Sequence, residues 1–298
     1  MVVDLQDKPP SVLYIMGTAR SGSTILEILL ANGVGVFGAG ELTSLIQDGF
    51  CENKPCACGE DCHQCAVWGK VLQSLDMTGD EYVEWAALQK KMDWHDGFIR
   101  QIFSVVSERD KKSYRDFNMR LLMAIQQVTG CKVILDSSKY AGRALALARI
   151  LNMNLKVICL TRSPAGLMSS FQKPNMDEQQ PKSTVAAMIY YVVTLALLRV
   201  ATVLLRGRVH QLSYEAMLSA PDESLKQLEK WAGVDLTDSR KRLQANQGFS
   251  VGHIVTGNRL RKQGQVYFKS GLDERKISGI GATLAVVVMN AWRNALRF

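Results

Sequence analysis

The sequence predicts an α/β protein in which a parallel sheet is covered by helices on both faces. Three observations carry this. Short apolar runs at Val12–Met16, Lys132–Leu135, Leu155–Leu160 and Val209–Leu212 have the length of buried strands, with helical patterns between them. The first run leads through Gly17-Thr18-Ala19-Arg20-Ser21-Gly22-Ser23-Thr24 into a second apolar segment, Ile25 to Leu30: strand, glycine-bearing loop, helix. The 298 residues are 47% hydrophobic and 21% charged, ordinary for a globular chain, and neither an internal repeat nor a low-complexity linker divides them. A single domain over residues 1–298 is expected, with a cysteine-containing insertion or cap at about 51–112, the stretch least like a core.

The first loop points to a phosphate. Its backbone N–H groups lie at a helix N-terminus, where the helix dipole also favours an anion. Two glycines let the backbone curl without a Cβ in the way. A Walker loop, G-x-x-x-x-G-K-[ST], would carry lysine immediately before its final hydroxyl residue. Here Ser23 precedes Thr24, and the only cation inside the loop is Arg20. The fold expected is thus P-loop-type, built for a phosphate ester but without the lysine that reaches a triphosphate.

Further along, Val34 to Phe37 is a short apolar run followed by Gly38-Ala39-Gly40-Glu41-Leu42. Five of the seven cysteines then fall between residues 51 and 65, as Cys51, Cys56, Cys58, Cys62 and Cys65. The C-x-C-x3-C-x2-C spacing of Cys56, Cys58, Cys62 and Cys65 can circle a structural zinc ion; disulfides or plain thiols are the other readings. The strand at Lys132–Leu135 ends in Asp136-Ser137-Ser138-Lys139, where the aspartate also reads as a Walker B residue. The strand at Leu155–Leu160 runs into Thr161-Arg162-Ser163-Pro164, and Pro164 suits the first turn of a helix that carries Ser170 about two turns on. Thr184 to Leu205 is long enough to span a bilayer, but Arg199 interrupts it and the next strand follows at once. A buried helix is therefore expected, with no membrane span. Ser213-Tyr214-Glu215 and the basic segment His253 to Lys262 close the series.

The net charge of +8 fits a polyanionic ligand. Lysine and arginine are spread along the chain and do not alternate with aromatics, so nucleic acid is not the expected partner. Met1 to Pro10 is short and polar, without a secretory pattern, which gives a cytoplasmic location as the expectation.

Taken together these segments resemble the sulfotransferases that use 3′-phosphoadenosine 5′-phosphosulfate (PAPS), nearest the branch of bacterial and tyrosylprotein enzymes. The resemblance runs in family order from about residue 12 to 275. It implies that Thr18, Arg20, Ser21, Gly22, Ser23 and Thr24 hold the 5′-phosphosulfate. It implies that Arg162 and Ser170, eight residues apart, clamp the 3′-phosphate, a task suited to the bidentate arginine fork. Tyr214 lies near the nucleoside in that family, and a basic loop carrying Arg259, Arg261 and Lys262 closes over the cofactor. Glu41 stands where the tyrosylprotein branch has its catalytic base; His253 is the rival base, favoured by the intrinsic pKa of histidine. Lys139 supplies a second cation at the sulfuryl group, beside Arg20. Adenosine 3′,5′-bisphosphate would be the product, and no metal is required. The acceptor would be a hydroxyl compound, a carbohydrate, a glycolipid or other lipid-linked compound, or a small alcohol or phenol, with association at a membrane surface left open. An ATP- and Mg²⁺-dependent P-loop kinase, or a non-catalytic nucleotide-binding protein, are the alternatives.

Overall fold

The computed structural model describes residues 10–172, 181–257, 259–271 and 279–298. Five strands form the central sheet: β1 (Ser11–Gly17), β2 (Val36–Gly38), β3 (Val133–Lys139), β4 (Leu155–Thr161) and β5 (Val209–Ser213). All neighbours run parallel, in the order β2-β3-β1-β4-β5. The helices of the first half are α1 (Ser23–Ala31), α2 (Leu42–Leu45), α3 (Trp68–Leu75), α4 (Gly79–Asp93), α5 (His95–Ile102) and α6 (Glu108–Thr129). Those of the second half are α7 (Ala141–Arg149), α8 (Pro164–Phe171), α9 (Thr184–Leu204), α10 (Tyr214–Ser219), α11 (Pro221–Ala232), α12 (Thr237–Gln244) and α13 (Ile280–Ala295).

The strand period of two divides the core into two layers. Leu13 and Ile15 of β1 point to one face and pack with Leu26 and Leu29 of α1 and with Leu225 and Leu228 of α11. Val12, Tyr14 and Met16 point to the other, against α2 to α9 and α13. The parallel α/β sheet covered on both faces is therefore the observed architecture. The segment about 51–112 belongs to the second layer: Trp68, Trp85 and Phe98 are wholly buried in the same apolar cluster as β1.

Each apolar run becomes a strand, but β3 runs further than its apolar part. It continues through Asp136, Ser137 and Ser138, all buried, to Lys139. The ladder between β1 and β3 shifts register between Tyr14 and Met16, and Lys139 takes a left-handed φ of 75°. Such an irregularity at a strand end re-aims the side chain that follows it.

The helix read as a possible span, Thr184–Leu204, is the one among the described residues long and apolar enough to cross a membrane. It buries one stripe, Ala187, Tyr191, Thr194, Leu195, Leu198 and Ala201, at helical spacing. α7, α8 and α13 pack against it.

Polar interior groups are tied together by Arg143 of α7, which is wholly buried. Its Nε donates to Asp136 Oδ2 at 2.5 Å, and its Nη1 to Asp93 Oδ2 at 3.1 Å and Asn118 Oδ1 at 3.1 Å. Tyr114 donates its hydroxyl to the other Asp93 oxygen. The planar fork lets one cation serve two carboxylates from two elements. Arg143→Met should lower the unfolding free energy by about 3–5 kcal/mol, because two buried carboxylates lose their counter-charge. Urea denaturation of both proteins measures this. An unchanged midpoint would show that Arg143 does not carry the cluster.

Candidate active site

A ligand crevice in an open parallel sheet lies outside the carboxyl ends of the strands, where the chain leaves neighbouring strands in opposite directions. That point here lies between β1, whose chain goes on to β2, and β4, whose chain goes on to β5. Gly17 at the end of β1 pairs with Leu160 near the end of β4, so the glycine loop and Arg162 emerge side by side.

The loop is shaped by backbone conformation. Arg20 has φ 65° and Gly22 φ 91°, both left-handed. Gly22 is required for a second reason: a Cβ there would stand 2.4 Å from the Tyr214 ring. Gly22 also precedes α1 without a side-chain cap, so among the described residues no cap side chain accepts from the first-turn N–H groups of that helix. Thr18 Oγ1 and Ser21 Oγ are buried and have no hydrogen-bond partner among the described residues. Buried hydroxyls without partners are costly, and here they surround uncapped amides. A backbone arginine at positive φ marks the same spot as strained, which is where ligand clamps gather.

Arg162 caps the crevice from the β4 side. Its Nη1 donates to Arg20 O at 2.8 Å, and its guanidinium carbon lies 4.4 Å from the centre of the Tyr214 ring. Ser163, the residue after it, caps α8 by accepting from Gly166 N–H at 3.2 Å. Ser170 lies on the second turn of α8, half-buried. Three predicted residues, Arg20, Arg162 and Tyr214, are thus in one contact group around Gly22.

The third part of the site is acidic and basic at once. Glu41 follows Gly40, whose φ of 73° turns the chain out of β2; a Cβ on Gly40 would also crowd Ile254 at 3.1 Å. The Glu41 carboxylate pairs with Lys139 Nζ, and both side chains keep 18% of their exposure. That is enough to leave the pair reachable from solvent. Thr24 Oγ1 and Glu41 Oε1 both lie within 4 Å of the place a Cβ on Gly257 would take. Glu41 and Lys139 therefore meet at the α1 end of the phosphate loop.

Two contributors were not legible as site residues. Glu27 is wholly buried on α1 and accepts from Gly40 N–H at 2.6 Å and Ser137 Oγ at 2.6 Å, bracketing the turn that presents Glu41. Tyr190 of α9 accepts from Ala19 N–H at 2.7 Å, inside the loop. A carboxylate in the otherwise apolar run Ile25 to Leu30 was the available signal for Glu27; Tyr190 had none.

Other predicted residues go elsewhere. His253 does not join Glu41: its Nδ1 lies 3.2 Å from Cys65 Sγ and 3.9 Å from Cys56 Sγ, so its imidazole faces the cysteine cluster. Cys62 does not join that cluster. Its amide lies in a tight turn from Asp61 to Cys65, and its sulfur is buried against Gly49. Arg261 donates to Pro55 O at 3.0 Å, on the cysteine segment. Lys262 is exposed. The side chain of Arg259 lies outside the described residues.

A glycine-bearing loop at the switch point of an open parallel sheet, an arginine across the crevice and a carboxylate paired with a lysine thus meet at one sheet edge. The Sulfotransferase family model matches residues 10–238, and the chain belongs to that family. The fold is similar to the sulfotransferase domain from the curacin biosynthetic pathway, with 20% identity, a TM-score of 0.52, and 98% of this chain and 99% of that one covered. It is also similar to the sulfotransferase domain of the Synechococcus PCC 7002 olefin synthase, with 17% identity, a TM-score of 0.48 and 96% of each chain covered. Sulfotransferase STF9 from Mycobacterium avium follows, with 16% identity, a TM-score of 0.47, and 81% of this chain and 68% of that one covered. No curated protein matches the chain.

Glu27 gives a pH dependence. Burial raises its carboxyl from 4.5 to about 7, against the bonds from Ser137 and Gly40 and with the help of the charges on Glu41 and Asp136. The folded protein therefore holds this proton more tightly than the unfolded chain. The group's contribution to stability is full below pH 4.5 and is lost as pH rises through about 7. The loss amounts to about 3 kcal/mol. Glu27→Gln mimics the neutral acid and should remove that loss. Chemical denaturation between about pH 5 and about pH 8 should show the wild type falling relative to the variant. Parallel curves would mean that Glu27 is ionised in the folded protein.

Proposed function

We propose that this chain moves a sulfuryl group from PAPS to the hydroxyl of a carbohydrate or lipid-linked acceptor. The observation that carries the reading is the convergence at one sheet edge of a lysine-less phosphate loop, Arg162 on Tyr214, and the Glu41–Lys139 pair. The donor fits the residues present: the buried hydroxyls of Thr18 and Ser21 and the uncapped start of α1 need an anionic acceptor. Arg20 and the amides from Ser21 to Thr24 would hold its 5′-phosphate, and Arg162 with Ser170 its 3′-phosphate. Tyr214 would flank the nucleoside, with Arg259, Arg261 and Lys262 on the closing segment.

When bound, PAPS supplies a sulfur centre whose bond to the 5′-phosphate oxygen breaks as the acceptor oxygen bonds to sulfur. The protein's part is positioning and charge placement. Glu41 takes the acceptor's proton as general base. Lys139, now paired with Glu41, meets negative charge growing on the leaving oxygen, and Arg20 meets it from the loop. Both cations sit on residues with a left-handed backbone, Arg20 at φ 65° and Lys139 at φ 75°, a conformation that costs energy and gathers at ligand clamps.

A kinase would need Asp136 for a magnesium ion. In this fold Asp136 is wholly buried and its oxygens already accept from Arg143 Nε and from Ser138 N–H and Oγ–H, which favours a structural role. Apolar side chains exposed on α9 and α13, including Ile189, Val193, Leu284 and Val288, support an acceptor carried at a lipid surface.

Calorimetry without Mg²⁺ should show adenosine 3′,5′-bisphosphate binding and ATP binding far less well; the reverse preference would overturn the sulfuryl-donor reading. Arg162→Ala should weaken the bisphosphate by about 2–3 kcal/mol, the worth of a charge-assisted hydrogen-bond pair. Glu41→Gln should keep donor affinity and lose about 10²–10⁴-fold in turnover, as expected for removal of a general base. Labelled PAPS with an acceptor panel, read by mass spectrometry, provides the rate. Turnover near normal in Glu41→Gln would remove Glu41 from that role.

A further inference from the structure

We propose that Cys56, Cys58, Cys65 and His253 form a structural zinc site that fastens the segment after Val251 to the cysteine-rich loop. Their ligand atoms all lie within 4.8 Å of one another. The individual edges fit a tetrahedron. Two thiolates bound at about 2.3 Å would stand about 3.8 Å apart, and a thiolate and an imidazole nitrogen about 3.5 Å apart. Cys56 and Cys65 Sγ are 3.6 Å apart, and His253 Nδ1 is 3.2 Å from Cys65 Sγ and 3.9 Å from Cys56 Sγ. Three sulfurs and one imidazole are a zinc ligand set, and a closed set of four leaves no open position for chemistry. The role is structural.

The surroundings are built for it. Backbone N–H groups of Val67 and Trp68 point at the Cys65 sulfur, and that of Cys58 at the Cys56 sulfur. Trp68 Nε1 donates to the backbone carbonyl of His253 at 2.5 Å, and Ala57 N–H to Ile254 O at 2.9 Å. Bonds of this kind around the ligands orient them before the ion arrives. Cys58 is exposed, so the ion has an entry path, while Cys56 and Cys65 are buried.

The consequence reaches the site described above. The chain from His253 runs through Ile254 and Val255 to Thr256, whose hydroxyl donates to Glu41 O at 3.3 Å, and on to Gly257 beside the Glu41 carboxylate. An ion on His253 would hold this stretch in place whatever group the enzyme transfers.

Metal analysis of the full chain, purified without chelator or affinity histidines and kept reduced, should find about one zinc per chain. Cobalt exchanged for zinc should give thiolate charge-transfer bands and the strong visible bands of a tetrahedral centre. Cys58→Ser and His253→Ala should each lose or shift these bands and release zinc to a competing chelator at least about tenfold faster. Cys62→Ser, which alters a buried cysteine outside the set, should keep metal and spectrum. Absence of zinc together with absence of a cobalt spectrum in the folded wild type overturns the proposal. A Cys56–Cys65 disulfide in the unreduced protein overturns it equally, as does a spectrum that Cys62→Ser abolishes and His253→Ala spares.

Discussion

β1 hydrogen-bonds to β3 on one side and to β4 on the other, all three parallel, and every functional element hangs from that arrangement. Parallel pairing puts the carboxyl ends of the three strands at one edge. From β1 comes the phosphate loop, from β3 comes Lys139, and from β4 comes Arg162. β2, paired with β3, adds Glu41 through the turn at Gly40, where Ser137 N–H donates to Gly40 O at 2.9 Å. Residues separated by more than a hundred positions are thereby fixed by backbone hydrogen bonds. A site on such a frame needs little reorganisation when its ligand binds.

The same edge concentrates carboxylates. Glu27, Asp93 and Asp136 are wholly buried within the layers beneath Glu41. Arg143 neutralises two of them, and Glu27 escapes the penalty by holding its proton until about pH 7. Glu41 alone keeps access to solvent and a lysine partner. The wholly buried groups brace the turn and the strand end, and the Glu41–Lys139 pair is the one that solvent reaches. Ser137 and Ser138 link these tasks: one hydroxyl donates to Glu27, while the other donates to Asp136 and accepts from Thr43 N–H. The polar tail of β3 is therefore a hydrogen-bonded strut.

The glycine loop between strand and helix, the place of Arg162 at a strand end and the four longer strands were legible because each is local: an apolar run, a turn chemistry, a spacing of a few residues. β3 was read too short because strand periodicity is judged on apolar residues, and its last four are polar. Their burial depends on Glu27 and Arg143, which only the fold supplies. The surroundings of His253 were hidden for a similar reason. It stands 188 residues from Cys65, and a histidine beside a basic segment looks like an acid–base group until the neighbouring sulfurs are known. Cys62 shows the limit of spacing: the tight turn from Asp61 to Cys65 sends its sulfur inward and Cys65 toward Cys56.

α9 shows how composition can mislead about purpose. Its apolar length suits a bilayer, yet two adjacent tyrosines tie it to the glycine loop and to the Arg162 segment. Tyr190 accepts from the amide of Ala19 in the loop, and Tyr191 donates to the carbonyl of Arg162 at 3.4 Å. Successive helix residues point about 100° apart, so the two hydroxyls reach separate segments from one helix. The buried stripe through Ala187, Tyr191, Leu195 and Leu198 fixes that rotation. Turning the helix by one residue would withdraw both hydroxyls at once. The apolar packing of α9 is thus part of how the glycine loop and Arg162 are held next to one another.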